Sequence, residues 1–392
     1  MEKERLWTKS FIIVSLINFL VVLMYYLLIV TIAPYATSRY GASTSMAGLV
    51  SSIFIIGSLI GRLFSGRYIS TLGSKKVLWT GIISFLVTSC LYVIEAGLGF
   101  LILTRLLQGI AVGIVGTASG TVISQIVPST RKGEGIGYFS LSAILATAIG
   151  PFIGIWLMGL SNGYSLMFTI NIVFSIVCII IIFFARFDVP KLEHVQQSGN
   201  LLSRYIEPRA IPISLVACIV GFAYSGVMSF LHFYAEEIQL IDAAQFFFLV
   251  YAIVIIGSRP FTGKLFDKRG ANIIVYPCLL LFTIGMLIFS QATQSWILLA
   301  SAALIGIGFG NFNTIAQSVA VKVTPAHRYG LATSTFYIMY DIGLGIGPYI
   351  LGTFVPDYGY RHIFTAISVV AALCIPIYVA LYGRKEHRSM RA

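Results

Sequence analysis

Four ionisable side chains stand out because of where they sit. Arg62, Arg105, Arg259 and Asp341 each fall inside a long apolar run. A charge at mid-membrane costs about 2.5–3.5 kcal/mol on insertion scales, so such residues usually face a cavity or a partner. Asp341 is the one carboxylate deep in an apolar run, six residues before Gly347-Pro348. Removal from water disfavours the ionised form of a carboxyl group, which makes Asp341 a candidate proton carrier. The competing reading is a fixed acceptor for a neighbouring helix. For Arg105 the alternatives are a part in proton coupling or pairing with backbone carbonyls as packing.

The elements that must hold these residues follow from composition. The chain has 392 residues, 58% hydrophobic and 10% charged, with mean hydropathy +0.92. A soluble chain carries about 25% charged residues, so a soluble multidomain enzyme is excluded, and the high hydrophobicity excludes disorder. A span needs about 20 mostly apolar residues. Such runs lie near 10–34, 46–69, 77–97, 99–126, 136–159 and 165–185, then near 211–234, 244–266, 272–291, 295–321, 330–355 and 360–382. The expected fold is therefore all-α and membrane-spanning, with 12 transmembrane helices in two six-helix halves. Residues 1–187 form the first half, 188–209 a cytoplasmic linker and 210–392 the second half. Leu201–Ile206 is a candidate surface helix in that linker. The first run is too long, and lacks the small-residue site, for a cleaved signal peptide.

The net charge of +12 and pI near 9.5 raise the question of nucleic-acid binding. Placing the basic residues answers it. With the N-terminus inside, 21 of the 26 Lys and Arg fall on cytoplasmic segments and only Arg39 and Arg361 on outer loops. That is the positive-inside pattern. Both termini are expected to be cytoplasmic, and no nucleic-acid partner is implied.

A shift of 197 residues aligns the two halves. Arg62, Gly66 and Gly73 meet Arg259, Gly263 and Gly270; Gly109 and Gly113 meet Gly306 and Gly310; Pro128, Arg131 and Gly133 meet Pro325, Arg328 and Gly330; Gly150-Pro151 meets Gly347-Pro348. Six spans separate partners, so each pair keeps its orientation. This is a parallel repeat about an axis along the membrane normal.

These motifs resemble those of the major facilitator superfamily, within it the twelve-span drug:proton antiporter branch. The loop after span 2 holds Gly66, Ser70, Gly73, Lys75 and Lys76; its repeat holds Gly263, Asp267, Lys268, Arg269 and Gly270. Ser70 stands where the family pattern has Asp. The resemblance implies a latch between conformations, weakened in the first copy. Span 4, with Arg105, Gln108, Gly109 and Gly113, fits the family's fourth-span signature, which implies that Arg105 influences proton transfer. Gly150, Pro151 and Gly154 in span 5 look like the antiporter signature, repeated at Gly343, Gly347 and Pro348; in the family it accompanies export. Spans 1, 4, 7 and 10 line the family's cavity. They offer Asn18, Tyr25, Tyr26, Gln108, Tyr224, His232, Asn311, Asn313 and Gln317. A few polar groups among aromatics suit an amphipathic ligand, with helix packing the alternative for each. Span 1 has no carboxylate, although family members often use one there.

Other classes fit less well. The string from Gly257 to Lys264 is one residue too long for a phosphate-binding loop and has no Ser or Thr after the Lys. No selectivity filter or charged pore ring is visible. The five Cys lie in apolar runs with no CxxC, so neither disulfides nor zinc is indicated. The expectation is a proton-coupled exporter of small, lipophilic molecules in the plasma membrane, monomeric and not an enzyme. Its partners are substrate, protons and lipid, with no cofactor and no metal. Export of a specific metabolite and proton-coupled import are the alternatives.

Overall fold

A computed structural model describes residues 6–184, 204–384 and 386. Most of the expected linker, including the start of its Leu201–Ile206 candidate, lies outside them, as do several terminal basic residues. Among the described residues the secondary structure is helical, with no strand. The helices are α1 (Lys9–Tyr40), α2 (Thr44–Leu72), α3 (Ser74–Leu91), α4 (Leu98–Ile126), α5 (Lys132–Met158) and α6 (Gly163–Phe184). They continue as α7 (Ile211–Glu237), α8 (Phe247–Arg269), α9 (Asn272–Ser290), α10 (Ser295–Lys322) and α11 (Tyr329–Tyr378). Helix α10 contains a π turn at Gly306–Gly310. The 50-residue α11 is two helices meeting at Gly359, whose φ is 71°. Among the described residues, ten helical segments are long and apolar enough to cross a membrane. In hydrocarbon every backbone polar group must be satisfied internally, which helices do within themselves. Outward-facing Phe152, Phe184, Phe261 and Tyr349 are 72%, 76%, 75% and 77% exposed. A water-soluble surface avoids such a skin; lipid accommodates it.

The chain divides into two compact units. Unit 1 comprises Met1–Pro128, Phe139–Glu207 and Pro325–Ser334; unit 2 comprises Ser129–Tyr138, Pro208–Thr324 and Thr335–Ala392. Each unit thus takes a short segment from the other half of the sequence. Shifted by 197, residues 129–138 become 326–335, so to within one residue the two exchanged segments are repeat equivalents.

Glycines set how closely the helices approach. In unit 1 a Cβ on Gly57 or Gly61 of α2 would lie 2.2 Å from the carbonyl oxygens of Leu106 and Ile110. A Cβ on Gly109 or Gly113 of α4 would lie 2.2 Å from the Phe54 oxygen and 2.3 Å from the Ser58 oxygen. Helices α2 and α4 therefore meet backbone to backbone, the small-residue packing expected in lipid. In unit 2 the equivalent Gly306 and Gly310 face Tyr251 and Ile255, the repeat partners of Phe54 and Ser58. At the turns after α2 and α8, Gly73 and Gly270 have φ of 88° and 82°. Both turns need a conformation that side chains resist.

Gly109→Ala should force α2 and α4 apart. Overpacking of this kind costs about 1–3 kcal/mol, read as a lowered melting midpoint in detergent. Gly99→Ala, with nothing near its Cβ, should leave the midpoint unchanged or slightly raised.

Candidate functional site

In unit 1 the site grows from α4. Arg105 and Gln108 are three residues apart, hence on one helix face. Both are fully buried. Arg105 Nε donates to the Val50 carbonyl at 3.3 Å, and its Nη1 donates to Gln108 Oε1 at 2.9 Å and to the Tyr92 hydroxyl at 3.4 Å. The Tyr92 hydroxyl donates to the same Gln108 oxygen at 2.6 Å. The Phe54 ring lies under the guanidinium, 4.7 Å from its centroid. Such a contact is worth about 2 kcal/mol when desolvated. Phe54 in turn stacks on Tyr25 at 4.5 Å, and Tyr25 touches Tyr26 at 4.7 Å. Tyr25 and Tyr26 are half-buried. Arg105 Nη2, Gln108 Nε2 and Thr104 Oγ1 have no hydrogen-bond partner. A buried donor left unpaired costs about 1–3 kcal/mol, more when charged.

Helix α5 is seated on α1 by its glycines. A Cβ on Gly150 would lie 2.7 Å from Tyr26 Cβ, and one on Gly154 would lie 2.8 Å from the Leu27 oxygen. Asn18 donates to Ser142 at 2.9 Å, so its amide joins α1 to α5. Pro151 lies inside α5 and Pro348 inside α11.

In unit 2 the same seam recurs between α11 and α7. A Cβ on Gly343 would lie 2.0 Å from the Cys218 oxygen, and one on Gly347 would meet Ser225. Around it stands an aromatic cluster. Tyr224 stacks on Phe309 at 3.8 Å and on Tyr251 at 5.8 Å; Tyr340 lies 6.3 Å from Phe309 and 6.2 Å from Phe336. The π turn of α10 presents Phe309 and turns the Gly310 carbonyl to Arg259 Nη2, 3.0 Å away. π turns of this kind recur at functional sites. Asp341 follows Tyr340 on α11 and is partly exposed. Gln317 donates to the Tyr337 hydroxyl at 2.9 Å. Asn313 is half-buried with its carbonyl oxygen unpartnered. His232 is exposed, its ring 5.9 Å from that of Phe233. The structure thus gathers Arg105, Gln108, Tyr25 and Tyr26 in unit 1, and Tyr224 with the cluster beside Asp341 in unit 2.

The two motif loops differ in chemistry. Asp267 accepts from the backbone N–H of Gly133 at 2.8 Å and of Glu134 at 3.0 Å, capping the first turn of α5. A carboxylate at a helix N-terminus gains from hydrogen bonds and from the helix dipole, up to about 2 kcal/mol when partly buried. Gly263 packs on the same turn, its Cβ position 2.7 Å from Glu134 Cα. Ser70, the equivalent of Asp267, donates to its own helix at the Arg67 carbonyl, 2.6 Å away. There Gly66 faces Ser334, whose hydroxyl donates to the Arg62 carbonyl at 2.6 Å. The repeat partners Arg131 and Arg328 each pair with a buried carboxylate, Glu134 and Glu207. Sequence reasoning did not find Tyr92, Phe54 or Phe309. It also missed Glu386, which caps α9 by accepting from the N–H groups of Ala271 and Asn272 at 2.6 and 2.8 Å. The available signal was weak: isolated aromatics in apolar runs, and a carboxylate in a basic tail.

Asp267→Ala should free the Gly133 and Glu134 amides. A loss of 1–2 kcal/mol corresponds to about 5–30-fold faster hydrogen exchange at those two positions. Ser70→Ala should leave them unchanged.

The sequence matches the family description "Major Facilitator Superfamily" over residues 14–290 and 213–392. It is 27% identical over 347 residues to an uncharacterized MFS-type transporter, MJ1560, of Methanocaldococcus jannaschii, covering 85% of this chain and 89% of that one. It is 24% identical over 338 residues to the multidrug resistance protein MdtG of Dickeya zeae, covering 83% and 82%. Its fold is similar to that of the human organic anion transporter MFSD10 (TM-score 0.75, 16% identity, covering 94% of this chain and 98% of that one). It is also similar to that of the proton:xylose symporter XylE (TM-score 0.76, 12% identity, 95% of each chain). With glycine contacts that repeat at one offset, and a family match across most of its length, the chain belongs to the major facilitator superfamily and is a multi-pass membrane transporter.

Proposed function

We propose that this transporter exports small amphipathic molecules by proton antiport, through alternating access of two six-helix halves. Among the described residues, ten segments meet the length and apolarity needed to cross a membrane; dividing α11 at Gly359 and adding the 18-residue α3 gives twelve. We place the protein in the plasma membrane with both termini cytoplasmic, on the strength of the basic-residue asymmetry. The observation that carries export is the glycine seam. Gly150 and Gly154 hold α5 against α1, and Gly343 and Gly347 hold α11 against α7, at the positions that resemble the antiporter signature. The relative named for multidrug resistance agrees with this reading. The fold neighbours are named for an organic anion and for xylose, so fold alone leaves the cargo open.

Asp341 is the proposed proton carrier. It lies on α11 two residues before Gly343 of the seam and follows Tyr340 in the chain. A proton moving inward across about 100 mV yields roughly 2.3 kcal/mol. That supports about fiftyfold accumulation of a neutral solute. Asp267 and the Gly66–Ser334 contact act as latches at the helix ends.

The test is dye or drug efflux from cells and from liposomes carrying the purified chain. An imposed pH gradient should drive flux, an uncoupler should abolish it, and Asp341→Asn should lower proton-driven flux at least tenfold. Uncoupler-insensitive flux would sink proton coupling. Normal pH-dependent transport by Asp341→Asn would remove Asp341 from the role.

A further inference from the structure

We infer that Arg105 and Gln108 form an anion-accepting site, and that it takes the carboxylate of an amphipathic transported molecule. This deepens the transport reading above by naming a substrate class, and rests on it for the word "transported".

A guanidinium stays protonated in proteins, and Arg105 is fully buried. Each hydrogen-bond acceptor it has is neutral: the Val50 carbonyl, the Tyr92 hydroxyl and the Gln108 amide oxygen. Among the described residues no carboxylate pairs with it. Helix α1, which packs beside it through Tyr25 and Phe54, contains neither Asp nor Glu between Lys9 and Tyr40. The donors without partners are Arg105 Nη2 and Gln108 Nε2, groups that can only donate. The orientation of the Gln108 amide is fixed by its neighbours. Its oxygen receives two donors, from Arg105 and from Tyr92; flipping it would set nitrogen against both. So the spare groups of Arg105 and Gln108 are both donors, one of them on a full positive charge, and the neighbouring Thr104 hydroxyl, also without a partner, can donate as well. That set fits an oxyanion that accepts from Arg105 Nη2 and Gln108 Nε2, and repels an organic cation.

The surroundings supply the rest of the ligand's chemistry. Phe54 covers one face of the guanidinium, and half-buried Tyr25 stacks on Phe54, with Tyr26 adjoining. One ring separates the charge from the partly open aromatic surface. An acid with a flat or aliphatic body would lay that body on the tyrosines and turn its head group towards Arg105. A free inorganic anion shares the head-group chemistry but has no use for the rings.

The test uses the full chain in detergent, with thermal stabilisation and tryptophan fluorescence as readouts of binding. Benzoate, 2-naphthoate and the straight-chain carboxylates from hexanoate to dodecanoate are each compared with their primary amides, with chloride present or absent. At least one carboxylate should bind, and its amide should bind roughly tenfold or more weakly, the loss expected for a charge-assisted hydrogen bond. Arg105→Gln should erase that preference, Arg105→Lys should retain part of it, and Gln108→Leu should weaken it. If no carboxylate outperforms its amide, the proposal fails, and this arm needs no variant to fold. It fails equally if Arg105→Gln keeps the preference. Arg105-dependent stabilisation by chloride that no carboxylate displaces would overturn the substrate assignment. Binding is read without a gradient, so uncoupler-insensitive flux would defeat proton coupling and leave this result standing.

Discussion

Hydrocarbon cannot solvate a polar group, and the arrangement of this chain follows from that constraint. Backbone amides are satisfied inside helices, which leaves side-chain charges and helix ends to be dealt with singly. Arg105 is enclosed by a carbonyl, a hydroxyl, an amide oxygen and a ring. Arg259 is turned to the Gly310 carbonyl. The first turns of α5 and α9 are closed by Asp267 and Glu386. None of these contacts is local in sequence apart from Arg105 with Gln108. Each therefore ties one helix to another, and the polar groups act as cross-links between helices that apolar packing alone would leave free to slide.

Glycine makes those cross-links reachable. Where α2 meets α4 the backbones touch through Gly57, Gly61, Gly109 and Gly113. That closeness brings Val50 and Phe54 within reach of Arg105 one turn away. Without Cβ-free positions the helices would stand farther apart and the guanidinium would lose both its carbonyl and its ring. The α5–α1 seam at Gly150 and Gly154 does the same for Asn18 and Ser142.

Much of this was legible in the sequence, and the limits have physical causes. Apolar runs reported the helices because hydropathy is a property of composition. The 197-residue offset reported paired contacts, since Gly109 and Gly306 face the repeat partners Phe54 and Tyr251. Helix boundaries were less legible: the runs near 330–355 and 360–382 meet directly at Gly359, because the turn between them is a single residue with positive φ. Partners of the buried arginines were not legible at all. Tyr92 and Phe54 reach Arg105 from other helices, and nothing in their own neighbourhoods marks them. Ser70 was identified as a departure from the motif, but its counterpart Ser334, 264 residues away, carries no motif of its own.

The departure at Ser70 makes the two helix-end contacts unequal. At α5 a carboxylate holds two backbone donors and draws on the helix dipole, worth up to about 2 kcal/mol in a partly buried setting. At α11 the equivalent segment makes a neutral hydrogen bond, Ser334 to the Arg62 carbonyl, for which about 1 kcal/mol is typical. Packing does not remove the difference, since Gly66 and Gly263 both sit in close contact with the opposing segment. Of the two contacts, the one at Asp267 is the stronger, because it is made by a charged group at a helix end.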